Sequence, residues 1–145
     1  MPRWVREAAD EYLKRLGPTL KTSFVEIEPG QRSGSSDSQR AMEAEAKKLL
    51  ATLRKDEFVV ALDERGTELT TRELASWLGS RMQDGRDLAF LIGGPDGFAA
   101  DVLARADFKW SLSRLTFPHA MVRVLLAEQL YRAQSVLANH PYHRE

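Results

Sequence analysis

The stretch FLIGGPDGF, residues 90–98, carries an apolar strand straight into a glycine turn. Its strand, DLAFLI (87–92), is a continuous apolar run and not an alternating one. Such runs belong to strands covered on both faces, as in parallel sheets flanked by helices. The turn that follows lets a ligand approach the backbone, because glycine puts no side chain in the way. Its spacing is not G-x-G-x-x-G and no G-K-[ST] follows, so a dinucleotide fingerprint and a P-loop both fit poorly. In isolation GGPxG is an ordinary tight turn between strand and helix. Its weight depends on what stands at the neighbouring strand ends.

Working outward, EFVVAL (57–62) is a second compact apolar strand, and TSFVEIE (22–28) alternates, with Phe24 facing away from Val25 and Ile27. FKWSLS (108–113) is a further strand-like piece. Between them lie helical stretches. RWVREAADEYLKRL (3–16) places Trp4, Val5, Ala8, Tyr12, Leu13 and Leu16 at helical spacing, with Pro2 in the first turn and Gly17-Pro18 as a stop. A second helix is expected over roughly 38–54, after the polar surface loop PGQRSGSSDS (29–38). Thr70 and Glu73 have capping-box spacing and open a helix that runs to Asp84 and ends at Gly85. A long helix over 119–138 closes the pattern. Helices alternating with apolar strands give an α/β domain with a parallel sheet, in which ligands bind beyond the carboxyl ends of the strands. Three ends therefore matter: Leu62-Asp63, the turn 93–97, and the run 112–118. DERGTE (63–68) reads as a solvated turn in which Asp63 and Glu64, being adjacent, diverge and do not form an acid–base pair.

SLSRLTFPH (111–119) alternates hydroxyl residues with Leu112, Leu115 and Phe117 before halting at Pro118. Apolar residues in a loop need a cover, either the protein core or a flat ligand; on these residues alone the two readings stand level. The chain then ends NHPYHRE (139–145), which holds two of its 3 histidines. Pro141 stops the helix and a cation suits its C-terminus, but neither accounts for the imidazole and aromatic density.

Composition sets the limits. At 145 residues the chain fits one domain able to bury a core unaided, and 0 Cys excludes disulfides, thiolate zinc sites and a cysteine nucleophile. Three scattered histidines without an H-E-x-x-H spacing lead us to expect no metal. The start has no apolar segment of a secretory signal, and the apolar run 121–138 carries Arg123, Glu128 and Arg132, so it reads as a buried helix rather than a membrane span. A cytoplasmic domain is expected. Its 21 basic and 21 acidic residues balance, so any nucleic acid must be held by a local patch or a preformed surface.

Taken together, ALDERG, GGPDGF and WSLSRLTFPHAMVRVLLAEQLYRAQSVLANHPYHRE resemble the ribosomal RNA large-subunit pseudouridine N3-methyltransferases of the SPOUT superfamily. The resemblance spans essentially the whole chain and is most specific over 87–145. It implies a SPOUT-type parallel sheet flanked by helices, with a C-terminal trefoil knot, a rare exception to the unknotted rule. It implies S-adenosylmethionine as cofactor, held by Leu62, Gly93, Leu112, Ser113, Arg114, Leu115, Thr116 and Phe117, and a homodimer paired through the knot. It implies methyl transfer to N3 of a pseudouridine in large-subunit RNA, on the assembled ribosome. N3 carries a weakly acidic proton, so a base or an anion-favouring environment is required. Tyr142 and Arg144 are the first candidates for placing the substrate, His143 for taking the proton, and His119 the last. Arg32, Lys109 and Arg114 are candidate RNA contacts. Family members begin with an apolar strand and a G-x-K turn ahead of the equivalent of Met1-Pro2, so that strand is expected to be missing here. Two other functions fit the residues: a catalytically silent ribosome- or RNA-binding relative, and an α/β enzyme using GGPDG for phosphate, which the lack of a following Lys-Ser/Thr pair opposes.

Overall fold

Strand β3 (Leu88–Ile92) is buried at every position, the state that a central strand of a parallel sheet requires. The computed structural model describes residues 2–16, 21–26, 35–93 and 97–142, and the side chains of 35–38 are left aside. On one side of β3 lies β1 (Thr22–Glu26); on the other lies β2 (Phe58–Glu68), and β4 (Phe108–Ser111) pairs with the far edge of β2. All three pairings are parallel. Five helices connect and cover the described strands: α1 (Arg3–Arg15), α2 (Ser35–Thr52), α3 (Thr71–Asp84), α4 (Ala100–Arg105) and α5 (His119–Leu137).

Alternation along the strands sorts the core into two layers. Val60, Leu88, Phe90, Ile92 and Trp110 point to one face, where Leu74 and Leu78 of α3 and Leu126 and Leu130 of α5 meet them. Val59, Ala89 and Leu91 point to the other, against Ala46 and Leu49 of α2 and Val102 of α4. Each fully buried aliphatic side chain contributes about 1.5–3 kcal/mol, so both layers drive the strands together. The amino-terminal edge of the sheet is tied by charge. Asp107 accepts the Val59 N–H at 2.8 Å, Arg54 pairs with Asp87 at 2.6 Å, and Arg105 donates to the carbonyls of Arg54 and Glu57. That leaves the carboxyl edge free to carry a site.

One element departs from the sequence reading. DERGTE is not a turn out of the sheet: β2 pairs Leu62 with Trp110, leaves, and returns to pair Thr67 with the same Trp110 and Glu68 with Ser111. The local turn signal is sound, since Asp63 Oδ1 accepts the Arg65 N–H at 3.0 Å. The chain re-enters the sheet because Gly66 lies directly on the Lys109–Trp110 backbone, where a side chain has no room. Helix α2 also begins earlier than expected, at Ser35.

Candidate active site

A cavity of about 820 Å³ opens at the carboxyl ends of β2, β3 and β4. From β2 come Leu62 and the excursion Asp63, Glu64 and Arg65, so this acidic pair borders the cavity instead of forming a plain solvated turn. From β3 come Ile92 and Gly93, with Gly97 and Phe98 just beyond. At Gly93 an added Cβ would lie 3.1 Å from the Phe98 ring, so the bare backbone is what lets this ring pack against it. Gly97 has φ +76°, a conformation that favours glycine. Gly94, Pro95 and Asp96 lie outside the described residues.

The third wall is the loop behind β4. Leu112, Ser113, Leu115, Thr116 and Phe117 line the cavity, followed by His119 and Val122 at the start of α5. Hydroxyls shape this loop: Ser111 Oγ donates to the Ser113 carbonyl at 2.9 Å, and Ser113 Oγ accepts the Leu115 N–H at 3.0 Å. Thr116 Oγ1 donates to Glu64 at 3.2 Å, which binds the loop to the β2 excursion. Arg114 stands apart. Its side chain is turned to solvent and donates to Glu68 at 2.7 Å, outside the cavity lining. The other seven residues expected to hold a cofactor do line it.

His119 sits on the cavity wall with Nε2 3.5 Å from Glu26 Oε2 at the end of β1. The other oxygen of Glu26 accepts from Arg123 at 2.6 Å. Tyr142 is held elsewhere. Asn139 takes a left-handed conformation and the His140 N–H donates to the Ser135 carbonyl at 2.8 Å, a helix stop of the Schellman kind. The chain reverses, and Tyr142 falls back on α5. Its hydroxyl donates to Glu128 at 3.0 Å, its ring centroid is 4.6 Å from that of Tyr131, and Arg132 lies over it at 5.1 Å. Burial first, then hydrogen bonds with Tyr12 and Glu128, push this phenol well above the usual tyrosine range. Glu128 lies about 13 Å along the helix from His119, so within one chain Tyr142 does not reach the cavity. His143 and Arg144, and the candidate contact Arg32, lie outside the described residues. Glu26 and Phe98 escaped the sequence reading. Their one signal was position, a carboxylate ending an apolar strand and an aromatic directly after a glycine turn.

A family model described as "Predicted SPOUT methyltransferase" matches residues 1–143. The "Ribosomal RNA large subunit methyltransferase H" of Paraburkholderia phymatum is 53% identical over 144 residues, covering 99% of this chain and 92% of its own. The chain is a SPOUT methyltransferase of this methyltransferase H family. The Paraburkholderia xenovorans relative is 54% identical over 144 residues, and that of Stenotrophomonas maltophilia 52% over 143, each with 99% of this chain and 92% of its own covered. A crystal structure of the SpoU methyltransferase AviRb from Streptomyces viridochromogenes aligns with 91% of this chain and 56% of its own, at 12% identity and a TM-score of 0.47, too distant to bear on the site. For a SPOUT methyltransferase the cavity is apt. Its volume lies within the about 300–1,000 Å³ of small-molecule pockets, and it pairs apolar walls with a backbone opened at Gly93. Among the described residues no cluster of His, Asp and Glu is arranged to hold a metal ion, and no helix is long and apolar enough to cross a membrane.

Proposed function

We propose that the cavity binds S-adenosylmethionine and that the chain methylates N3 of a pseudouridine in large-subunit ribosomal RNA, on assembled ribosomes in the cytoplasm. The observation that carries this reading is the convergence of three strand ends on one cavity that also exposes a histidine. Leu62, Ile92, Leu112, Leu115 and Phe117 offer an apolar slot for a purine ring, and Gly93 offers backbone to a sugar. The bound donor supplies an electrophilic methyl group on sulfur. His119 is the imidazole that the described residues bring to the cavity, and it takes the N3 proton, so that nitrogen attacks with its electron pair. The sequence alone ranks His119 last; its position on the cavity wall supports ranking it first.

Tyr142, His143 and Arg144 are assigned to holding the RNA, with Arg144 a cation for a phosphate or developing anion and Tyr142 a stacking surface. Because Tyr142 is held away from its own chain's cavity, these groups serve the cavity of a second subunit. A homodimer is supported by α5. Besides its inward side, it carries Met121, Val124 and Leu125, which are half-buried yet packed into neither core layer. They continue with Glu128 as a stripe of helical spacing, and Tyr142 sits at its end. The trefoil knot belongs to this reading too, with 112–118 as the threaded segment. Its support is the match of the chain to the SPOUT family.

The test is transfer of labelled methyl to whole ribosomes, free large-subunit RNA and transfer RNA in parallel, with nucleoside mass spectrometry of the product. Label on N3 of a pseudouridine in ribosomes is the expected result. Label confined to transfer RNA, or no transfer despite donor binding, would overturn the reading, the latter in favour of a silent ribosome-binding relative.

A further inference from the structure

The carboxylate of Glu26 is an unusual presence at the end of β1. Its side chain is only 15% exposed, and burying a carboxylate costs several kcal/mol unless it is well paired. Its neighbour in the sheet is Ile92, the last β3 residue before Gly93, so Glu26 lies one strand away from the cavity floor. Both of its oxygens face one side of α5, Oε1 in a hydrogen bond from Arg123 and Oε2 in contact with the His119 ring. Arg123 and His119 are four residues apart, hence on the same side of the helix. Arg123 donates to Oε1 at 2.6 Å, lies over the Phe24 ring at 5.6 Å, and has a buried Nε without a hydrogen-bond partner. That arginine is thus committed to the carboxylate and holds it in place. Oε2 remains for His119, whose Nε2 is 3.5 Å away and whose ring is the member of the trio that lines the cavity.

We propose that Glu26 is a positioning residue for His119, taking the Nε2 hydrogen so that Nδ1 is left as the basic nitrogen of the site. A neutral imidazole carries a single N–H, and a carboxylate that claims it fixes both tautomer and ring orientation. The inference rests on the proposed methyl transfer for its purpose. When N3 gives its proton to Nδ1, the N–H pair stays on nitrogen and forms the new bond to carbon, while the sulfur–carbon pair remains with sulfur. The imidazolium then faces the Glu26 carboxylate until the proton passes to solvent. Arg123 anchors the carboxylate from behind, so the three residues form a relay of position and not of protons.

The tautomer can be read directly, without any activity. In full-length wild-type protein labelled with ¹⁵N-histidine, nitrogen shifts at neutral pH are expected to show His119 as the Nε2–H form, and Glu26→Gln to show a mixture. An Nδ1–H form in the wild type overturns the proposal whatever the enzyme does. In single-turnover transfer to ribosomes, Glu26→Gln is expected to slow the step about tenfold, a fraction of the roughly 100-fold or greater loss for removing the base in His119→Ala. Donor affinity by calorimetry is expected to stay within about twofold of wild type, and Glu26→Asp to recover part of the rate. Full speed in a folded Glu26→Gln protein overturns the proposal. If Glu26→Gln does not fold, the wild-type tautomer and Glu26→Asp still decide. Absence of transfer by the wild type counts against the methylation reading alone, which the nitrogen shifts keep separate from this one.

Discussion

At Gly66 an added Cβ would stand 2.7 Å from the carbonyl carbon and oxygen of Lys109 and 2.9 Å from the Trp110 nitrogen. All three are backbone atoms of a sheet strand, so no side chain can swing aside. Gly66→Ala is therefore expected to destabilise the protein by about 1–3 kcal/mol, as overpacking does. A urea melt measures this. Donor affinity is expected to fall with it, because Asp63, Glu64 and Arg65 of the same excursion border the cavity. The sequence marks Gly66 as a turn residue, which is locally correct, but the reason only glycine fits comes from a strand more than forty residues away. Gly93 and the 112–117 loop were legible because their residue types already suggest backbone approach and a covered apolar surface. The tail was half legible. Asn139, His140 and Pro141 build a helix stop, and residue chemistry alone could not say which surface Tyr142 would meet after the reversal.

Helices announce their own ends. Thr70 Oγ1 accepts the Glu73 N–H at 3.1 Å and Glu73 accepts the Thr70 N–H at 2.9 Å, completing the capping box, and Gly85 closes the same helix at φ +81°. Both signals act within four residues, which is why the sequence placed this helix so closely. Thr70→Ala is expected to cost about 1 kcal/mol, read as a lowered unfolding midpoint with the donor site unaffected, since Thr70 is not in its lining. Strands behave otherwise. β2 was foreseen as ending at Leu62 because Asp-Glu-Arg-Gly is turn chemistry, yet its last pairs are with Trp110 and Ser111. Pairing partners at that separation leave no trace in a local pattern. Helix α5 shows a third case. Its apolar residues encircle it, so burial was evident, while the division between the core face and the stripe outside both layers needed the neighbouring elements.

For the whole molecule, the parallel α/β class could be read from apolar runs and helical spacing, but the strand order β1-β3-β2-β4 could not, because the runs carry no information on which neighbours they choose. Nor does balanced charge, 21 against 21, suggest an RNA enzyme, since proteins held to nucleic acid by global charge are basic. The apolar stripe on α5 that joins neither core layer predicts a dimer. Sedimentation equilibrium is expected to give twice the 16.4 kDa chain mass, and Leu125→Glu to shift it toward one, while a monomeric wild type would remove the second-subunit role of Tyr142. The cavity's construction has a consequence for biosynthesis. Its walls come from residues 62–65, from 92, 93, 97 and 98, and from residues on either side of Pro118 between 112 and 122, so the last wall is translated after the other two. A nascent chain can pair β2 with β3 early, yet it has no donor pocket until the segment behind β4 leaves the exit tunnel. Donor binding is therefore expected to wait for this third wall, and a fragment lacking residues beyond 111 is expected to bind no donor in calorimetry however well its first strands fold.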